Sequence, residues 1–104
     1  MILVIGGFGQ GQAEYAARLW PERRVLPDLQ ELLRQEEDGT AAAERLLAED
    51  GERVILCDEI GCGVVPLSAE ERRWREETGR CLMRLAAAAE EVHRVCCGLG
   101  MRLK

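Results

Sequence analysis

Residues 6 to 13 read Gly6-Gly7-Phe8-Gly9-Gln10-Gly11-Gln12-Ala13. Glycines at this density let successive backbone N–H groups curl around an oxyanion. Their spacing matches the frame G-x-x-x-x-G-K-[ST], which cradles nucleotide phosphates. In that frame the Lys neutralises phosphate charge and the hydroxyl holds Mg²⁺. Here Gln12 stands at the Lys position and Ala13 at the hydroxyl position. Gln12 can donate a hydrogen bond to a phosphate oxygen but brings no positive charge, and Ala13 offers the metal no ligand. The predicted feature is a tight strand-to-helix turn, with Gly6, Gly7, Gly9, Gly11, Gln12 and Ala13 as the candidate nucleotide contacts. The anion affinity left to it is that of a helix N-terminus, about 0.3–1 kcal/mol when exposed. Arg18 lies further along the helix and is expected to point away from the loop.

A second candidate is Val54-Ile55-Leu56-Cys57-Asp58-Glu59, four apolar residues followed by two acids. A strand that ends this way in an open α/β sheet presents its acids to the ligand crevice. Asp58 and Glu59 are therefore the candidate catalytic residues, able to order a metal-bound water or accept a proton. The one histidine, His93, lies far in sequence from any nucleophile, and surface or edge-strand placement is expected for it. Five cysteines (Cys57, Cys62, Cys81, Cys96, Cys97) show no regular spacing and no CxxC pair, so free thiols and no metal site are predicted.

The elements that must hold these residues follow from the pattern. Ile2-Leu3-Val4-Ile5 is a buried strand, and a helix runs from about Gln12 to Trp20, ended by Pro21. Asp28 is placed as the cap of a second helix, with Glu31 three residues on, and Gly39 closes that segment. Thr40 is placed as the cap of a third helix that stops at Gly51. Arg53 to Cys57 is a second buried strand, and 58–67 is an irregular loop. Ser68-Ala69-Glu70-Glu71 is a capping box that opens the longest helix, running to about Glu91. Its buried face is Trp74, Thr78, Cys81, Leu82, Leu85, Ala89 and Val92, and the charges of Glu70 to Arg80 form its solvated face. Val92 to Cys97 is a third strand, after which Gly98-Leu99-Gly100 turns into a final segment. Strands alternating with helices predict a parallel sheet with right-handed crossovers. The expected fold is one α/β domain over residues 1–104, a small P-loop NTPase-like three-layer arrangement with a mostly parallel sheet of three or four strands.

The composition excludes several functions. A net charge of −5 argues against nucleic acid and against an anionic membrane surface. No apolar stretch approaches the ~20 residues of a membrane span. The N-terminus has neither a basic region nor a signal-peptide core, so a cytoplasmic protein is expected.

The segment Asp58-Glu59-Ile60-Gly61-Cys62-Gly63-Val64-Val65-Pro66 resembles the N-E-V-G-x-G-I-V-P loop of the adenosylcobinamide kinase / adenosylcobinamide-phosphate guanylyltransferase family of cobalamin biosynthesis. Gly79-Arg80-Cys81-Leu82-Met83-Arg84-Leu85-Ala86-Ala87-Ala88-Ala89-Glu90-Glu91-Val92 is similar to that family's G-R-x-N-Q-R-L-A-A-A-A-D-E-V helix, and the tail Gly98 to Lys104 to its G-I-x-x-K-[IL]-K end. The opening Ile2 to Gly7 resembles the strand that leads into the family's G-G-x-x-S-G-K-S loop. Glu59, Gly61, Gly63, Pro66, Gly79 and Arg80 match the family pattern.

The resemblance implies phosphoryl transfer from GTP or ATP, with Mg²⁺, to the aminopropanol hydroxyl of a corrinoid, with Glu59 and Asp58 near the metal or the acceptor. It also implies a homo-oligomer, or pairing with another cobalamin-pathway protein. The chain departs from the pattern at Gln12 and Ala13, at Asp58 in place of Asn, and at Leu82-Met83 in place of Asn-Gln. The family's central region, with the histidine that accepts GMP, has no counterpart between residues 21 and 52. The expectation is a shortened, degenerate relative with weak or no nucleotide binding and no guanylyltransferase activity. The alternative is a non-catalytic interaction or assembly module.

Overall fold

The computed structural model describes residues 1–61, 65 and 68–104. In chain order its elements are β1 (Ile2–Gly6), α1 (Gln12–Leu19), β2 (Val25–Leu26), α2 (Leu29–Leu32), α3 (Gly39–Glu49), β3 (Val54–Asp58), α4 (Ala69–Ala88), β4 (Glu91–Cys96) and β5 (Leu99–Arg102). Neighbours in the sheet run β2-β3-β1-β4-β5, all parallel except the antiparallel β4–β5 pair.

The apolar run of β1 makes it the central strand, because a strand buried on both faces needs no polar alternation. Leu3 points with Ile55 and Val92 into a core built with Leu29, Leu33, Ala43, Cys81 and Leu85. Ile2 and Val4 point the other way, with Val54, Leu56 and Val95, against Tyr15 and Ala16 of α1. Helix α1 therefore covers one face and α2, α3 and α4 the other, giving the expected three layers. The register sets Gly6 level with Asp58 on one side and Val95 on the other. The end of β1 thus opens between the ends of β3 and β4.

The sheet has five strands, beyond the three or four expected. β2 is two residues long, too short to leave a pattern. β5 is exposed throughout and so lacks the apolar signature of a buried strand. It is joined to β4 by the two-residue turn Cys97-Gly98, with φ of 53° and 75°, the left-handed combination that matches strand twist in a hairpin. α4 stops at Ala88, so Val92, expected on the helix face, is buried from β4 instead. The Ser68 cap is present, its hydroxyl accepting from Glu71 N at 3.1 Å. Asp28 does not cap α2: it sits at φ 51° with no side-chain cap bond. Among the described residues no helix is long and apolar enough to cross a membrane.

Gly39 opens α3 rather than closing the segment before it, and Asp38, not Thr40, is the cap, accepting from Ala41 N at 3.0 Å. The reason lies in α4. Gly39 N donates to the buried Glu77 Oε1 at 2.8 Å, and a Cβ on Gly39 would stand 1.9 Å from the Glu77 carbonyl oxygen. Only glycine allows this approach, whatever its φ. Gly39→Ala is expected to cost about 1–3 kcal/mol through overpacking against backbone that cannot yield. Urea denaturation should show a lower midpoint at unchanged slope, and an unchanged midpoint would show that α3 and α4 slide apart freely.

Candidate functional site

The glycine loop turns directly into α1. Gly11 is the N-cap at φ 93° and Gly9 sits at φ 71°, left-handed conformations that a Cβ would strain. The first helical residue, Gln12, is only 8% exposed. Its Nε2 donates to the Gly7 carbonyl at 3.0 Å and to Asp58 Oδ1 at 3.2 Å. A Cβ on Gly6 would lie 2.6 Å from the Val95 carbonyl oxygen and 3.0 Å from Gln12 Nε2. The end of β1 is thus shaped to receive this amide.

The other Asp58 oxygen, Oδ2, accepts from Gln30 Nε2 at 3.3 Å, and Asp58 N donates to Gln30 Oε1 at 2.9 Å. Gln30 is 4% exposed, and its carbonyl accepts from Trp74 Nε1 at 2.6 Å. Sequence reading missed Gln30, since a lone Gln in a four-residue helix carries no motif. Burial raises the Asp58 carboxyl above its ordinary range, and the charges of Asp28 and Glu31 add to the rise.

A cavity of about 240 Å³ opens between the loop and Asp58, with Gly9, Gly11, Ala13, Glu14, Asp28 and Asp58 among its lining. This donor set does not fit a magnesium nucleotide. Asp28 and Asp58 line this cavity, and Glu14 lines both it and the cavity on the other side of the loop. Gln12 has its amide engaged on Gly7 and Asp58, and Ala13 supplies no oxygen to a metal. Among the described residues no cluster of three metal-ligating side chains forms.

Glu59 is placed differently from Asp58. Its N–H donates to the Gly6 carbonyl at 2.8 Å, while its Oε2 meets Arg94 Nη2 at 3.1 Å, so its carboxylate is paired toward β4. Gly61 lies in an exposed turn; Gly63 and Pro66 are outside the described residues. Gly79 and Arg80 lie on α4, where Arg80 pairs with Glu77, the residue that accepts the Gly39 amide. Arg80 thus borders the contact between α3 and α4, while a Cβ on Gly79 would meet open space.

Two expectations are corrected. His93 is buried, at 7% exposure, because β5 pairs outside β4 and removes it from the edge. Its Nδ1 is 2.8 Å from the Tyr15 hydroxyl and its Nε2 2.9 Å from Glu91 Oε1, with the Trp20 ring edge-on at 5.0 Å. Arg18 does not turn away from the loop. It lines a second cavity, about 430 Å³, with Gly9, Gly11, Tyr15, Cys97 and Gly98, on the side of the loop that faces the β4–β5 turn.

Residues 20–103 match the family model described as cobinamide kinase / cobinamide phosphate guanyltransferase. The glycine loop lies ahead of the matched stretch. The bifunctional adenosylcobalamin biosynthesis protein CobU of Salmonella typhimurium strain LT2 is 34% identical over 105 residues, covering 100% of this chain and 51% of that protein. The protein of the same name from Escherichia coli K12 is 43% identical over 51 residues, covering 49% of this chain and 28% of its own length. The chain thus spans at most about half the length of these relatives.

The desolvated Asp58 makes one feature of the site measurable. Its carboxyl holds its proton longer in the folded chain than in the unfolded one, where the ordinary value is 3.8. Ionised Asp58 therefore weighs against folding, and its burden grows as pH rises from below 3.8 through the raised value, then levels off. Asp58→Asn has no such titration. Urea midpoints of the two proteins across this range should show the wild-type chain losing ground to the variant as pH rises; a constant gap would contradict the desolvation.

Proposed function

Because the chain belongs to the cobinamide kinase / cobinamide phosphate guanyltransferase family, we propose that it is a catalytically silent relative of those enzymes, keeping their loop-and-carboxylate frame but binding GTP or ATP weakly or not at all. The observation that carries this is the Gln12 amide seated on Asp58 and Gly7. A lysine there would hold one charge for the loop and the phosphates alike, whereas an amide satisfies the carboxylate and leaves nothing for a phosphate. Phosphoryl transfer depends mostly on electrostatic stabilisation of charge on the moving group. Around this loop the charges on the Asp58 side are negative.

Guanylyl transfer through a histidine is disfavoured as well. The chain has one histidine, and both its ring nitrogens are engaged, with Tyr15 and Glu91. The acidic charge and the free thiols fit a cytoplasmic setting.

Calorimetric titration with GTP and ATP, with and without Mg²⁺, tests the proposal. The wild-type chain should not saturate below about millimolar, a binding free energy of roughly −4 kcal/mol. Gln12→Lys combined with Ala13→Ser should tighten binding by about tenfold or more, since a hydrogen bond to a charged group contributes roughly 1.5–3 kcal/mol. Micromolar binding by the wild-type chain would overturn the reading.

A second reading, an assembly module, is favoured by one observation. Leu82, Met83, Leu3, Ile5, Val92 and Leu103 line an apolar cavity of about 340 Å³, and Met83 is 70% exposed. Leu82 and Met83 stand where the resemblance expects Asn-Gln. If this face pairs with a second copy, Leu82→Asn with Met83→Gln should lower the mass in sedimentation to that of a single chain. Unchanged mass with lost stability would mean that these side chains only fill the core.

A further inference from the structure

Two of the cysteines are adjacent and exposed. Cys96 ends β4, Cys97 begins the turn into β5, and their sulfurs lie 4.0 Å apart. The others that the structure describes differ. Cys57 and Cys81 are buried, and burial pushes their thiols up to about 12 and about 11. Buried thiols at such values do not supply thiolate near neutrality, so among the described residues reactivity concentrates on the exposed pair.

The turn that carries the pair is gripped by the glycine loop. Cys97 N donates to Gln10 Oε1 at 2.7 Å, and Gly98 N donates to the Gln10 carbonyl at 2.8 Å. The first of these N–H groups belongs to the peptide unit that joins Cys96 to Cys97. Any ring closed through the two sulfurs contains that same peptide unit. Bringing the sulfurs from 4.0 Å to the ~2.0 Å of a bond draws the two Cβ atoms together and turns the peptide plane, and with it the N–H aimed at Gln10. Cys97 also lines the 430 Å³ cavity beside the loop, which gives a small molecule access.

We propose that Cys96 and Cys97 are a dithiol site for small-molecule disulfides, closing to a vicinal disulfide that loosens the grip of the β4–β5 turn on Gln10 of the glycine loop. In the first step the Cys96 thiolate attacks one sulfur of the disulfide RSSR. A protein–S–S–R bond forms, and RS⁻ leaves and takes up a proton. In the second step the Cys97 thiolate attacks the Cys96 sulfur, the Cys96–Cys97 bond forms, and the second RS⁻ leaves. Two protein thiols are oxidised and RSSR is reduced to two RSH. Both side chains are exposed and their sulfurs lie 4.0 Å apart, so the same two steps balance equally with the roles of Cys96 and Cys97 exchanged.

The test uses the reduced full chain and oxidised glutathione as RSSR, with free thiols then blocked by N-ethylmaleimide. Trypsin releases the pair on one peptide, Val95 to Arg102, flanked by Arg94 and Arg102. That peptide should be lighter than its reduced form by two hydrogens and should carry neither glutathione nor maleimide. Cys97→Ser should instead retain glutathione on Cys96. Glutathione retained on the wild-type peptide, a peptide carrying maleimide on both sulfurs, or a cross-link to another cysteine would each overturn the proposal. Gln10→Ala removes the acceptor that holds the amide, and ring closure in that variant should be faster by about fivefold, the factor that one ordinary net hydrogen bond supplies. Equal closure rates would show that the dithiol acts without the loop.

Discussion

The Asp58 carboxylate, held between two neutral amides, is the contact on which the rest of the site depends. Gln12 reaches it from α1 and Gln30 from α2, and the Gln30 carbonyl in turn takes the Trp74 indole N–H from α4. One carboxylate at the end of β3 thus ties the glycine loop to both helical layers. An amide clamp has a different electrostatic meaning from an ammonium one. It satisfies the lone pairs of a half-buried carboxylate but does not cancel its charge, so the group stays desolvated and its proton affinity rises. The end of β3 is thus held to α1 and α2 by hydrogen bonds from neutral amides.

A second carboxylate does comparable work on the far side of the sheet. Glu77 is buried on α4, accepts the Gly39 amide at the start of α3, and pairs with Arg80. The helices meet so closely there that no Cβ fits on Gly39. Removing either the acceptor or the small residue would leave a buried polar group unpaired or a helix displaced, and both costs are large compared with the stability of a small domain. Arg80, which matches the family pattern, borders this packing through Glu77.

The parts of the fold legible in the sequence were those where burial is continuous or a cap is explicit. β1 and β3 are unbroken apolar runs, and the Ser68 cap states where α4 begins. β2 and β5 were not legible, because two residues make no period and an edge strand with every side chain exposed has no apolar face. Gly39 was ambiguous for a physical reason: glycine suits both the end of a helix and a close helix contact, and only Glu77 decides between them. Asp58 and the loop were identifiable from residue type and spacing. Their connection through Gln12 was not, since a glutamine's partners depend on the register that sets Gly6 beside Asp58. His93 was misplaced because its burial depends on β5, the strand the pattern did not reveal.

With an amide at position 12, Arg18 is the cation that lines a cavity beside the loop. Arg18 lines the cavity on the β4–β5 side of the loop, away from Asp58, with its guanidinium 5.7 Å from the centre of the Tyr15 ring. Tyr15 is itself fixed, its hydroxyl bound to His93 and its ring set edge-on to Trp20. The core network around His93 therefore fixes the ring over which that guanidinium sits. Asp28 and Asp58 line the cavity on the opposite side, and Glu14 lines both. An anion at the loop would meet carboxylate charge on both sides and the Arg18 guanidinium on one, so these side chains set up no strongly directed field of the kind transfer chemistry uses. A lysine at position 12 would place charge on the loop's own axis, whereas Arg18 stands on its β4–β5 side.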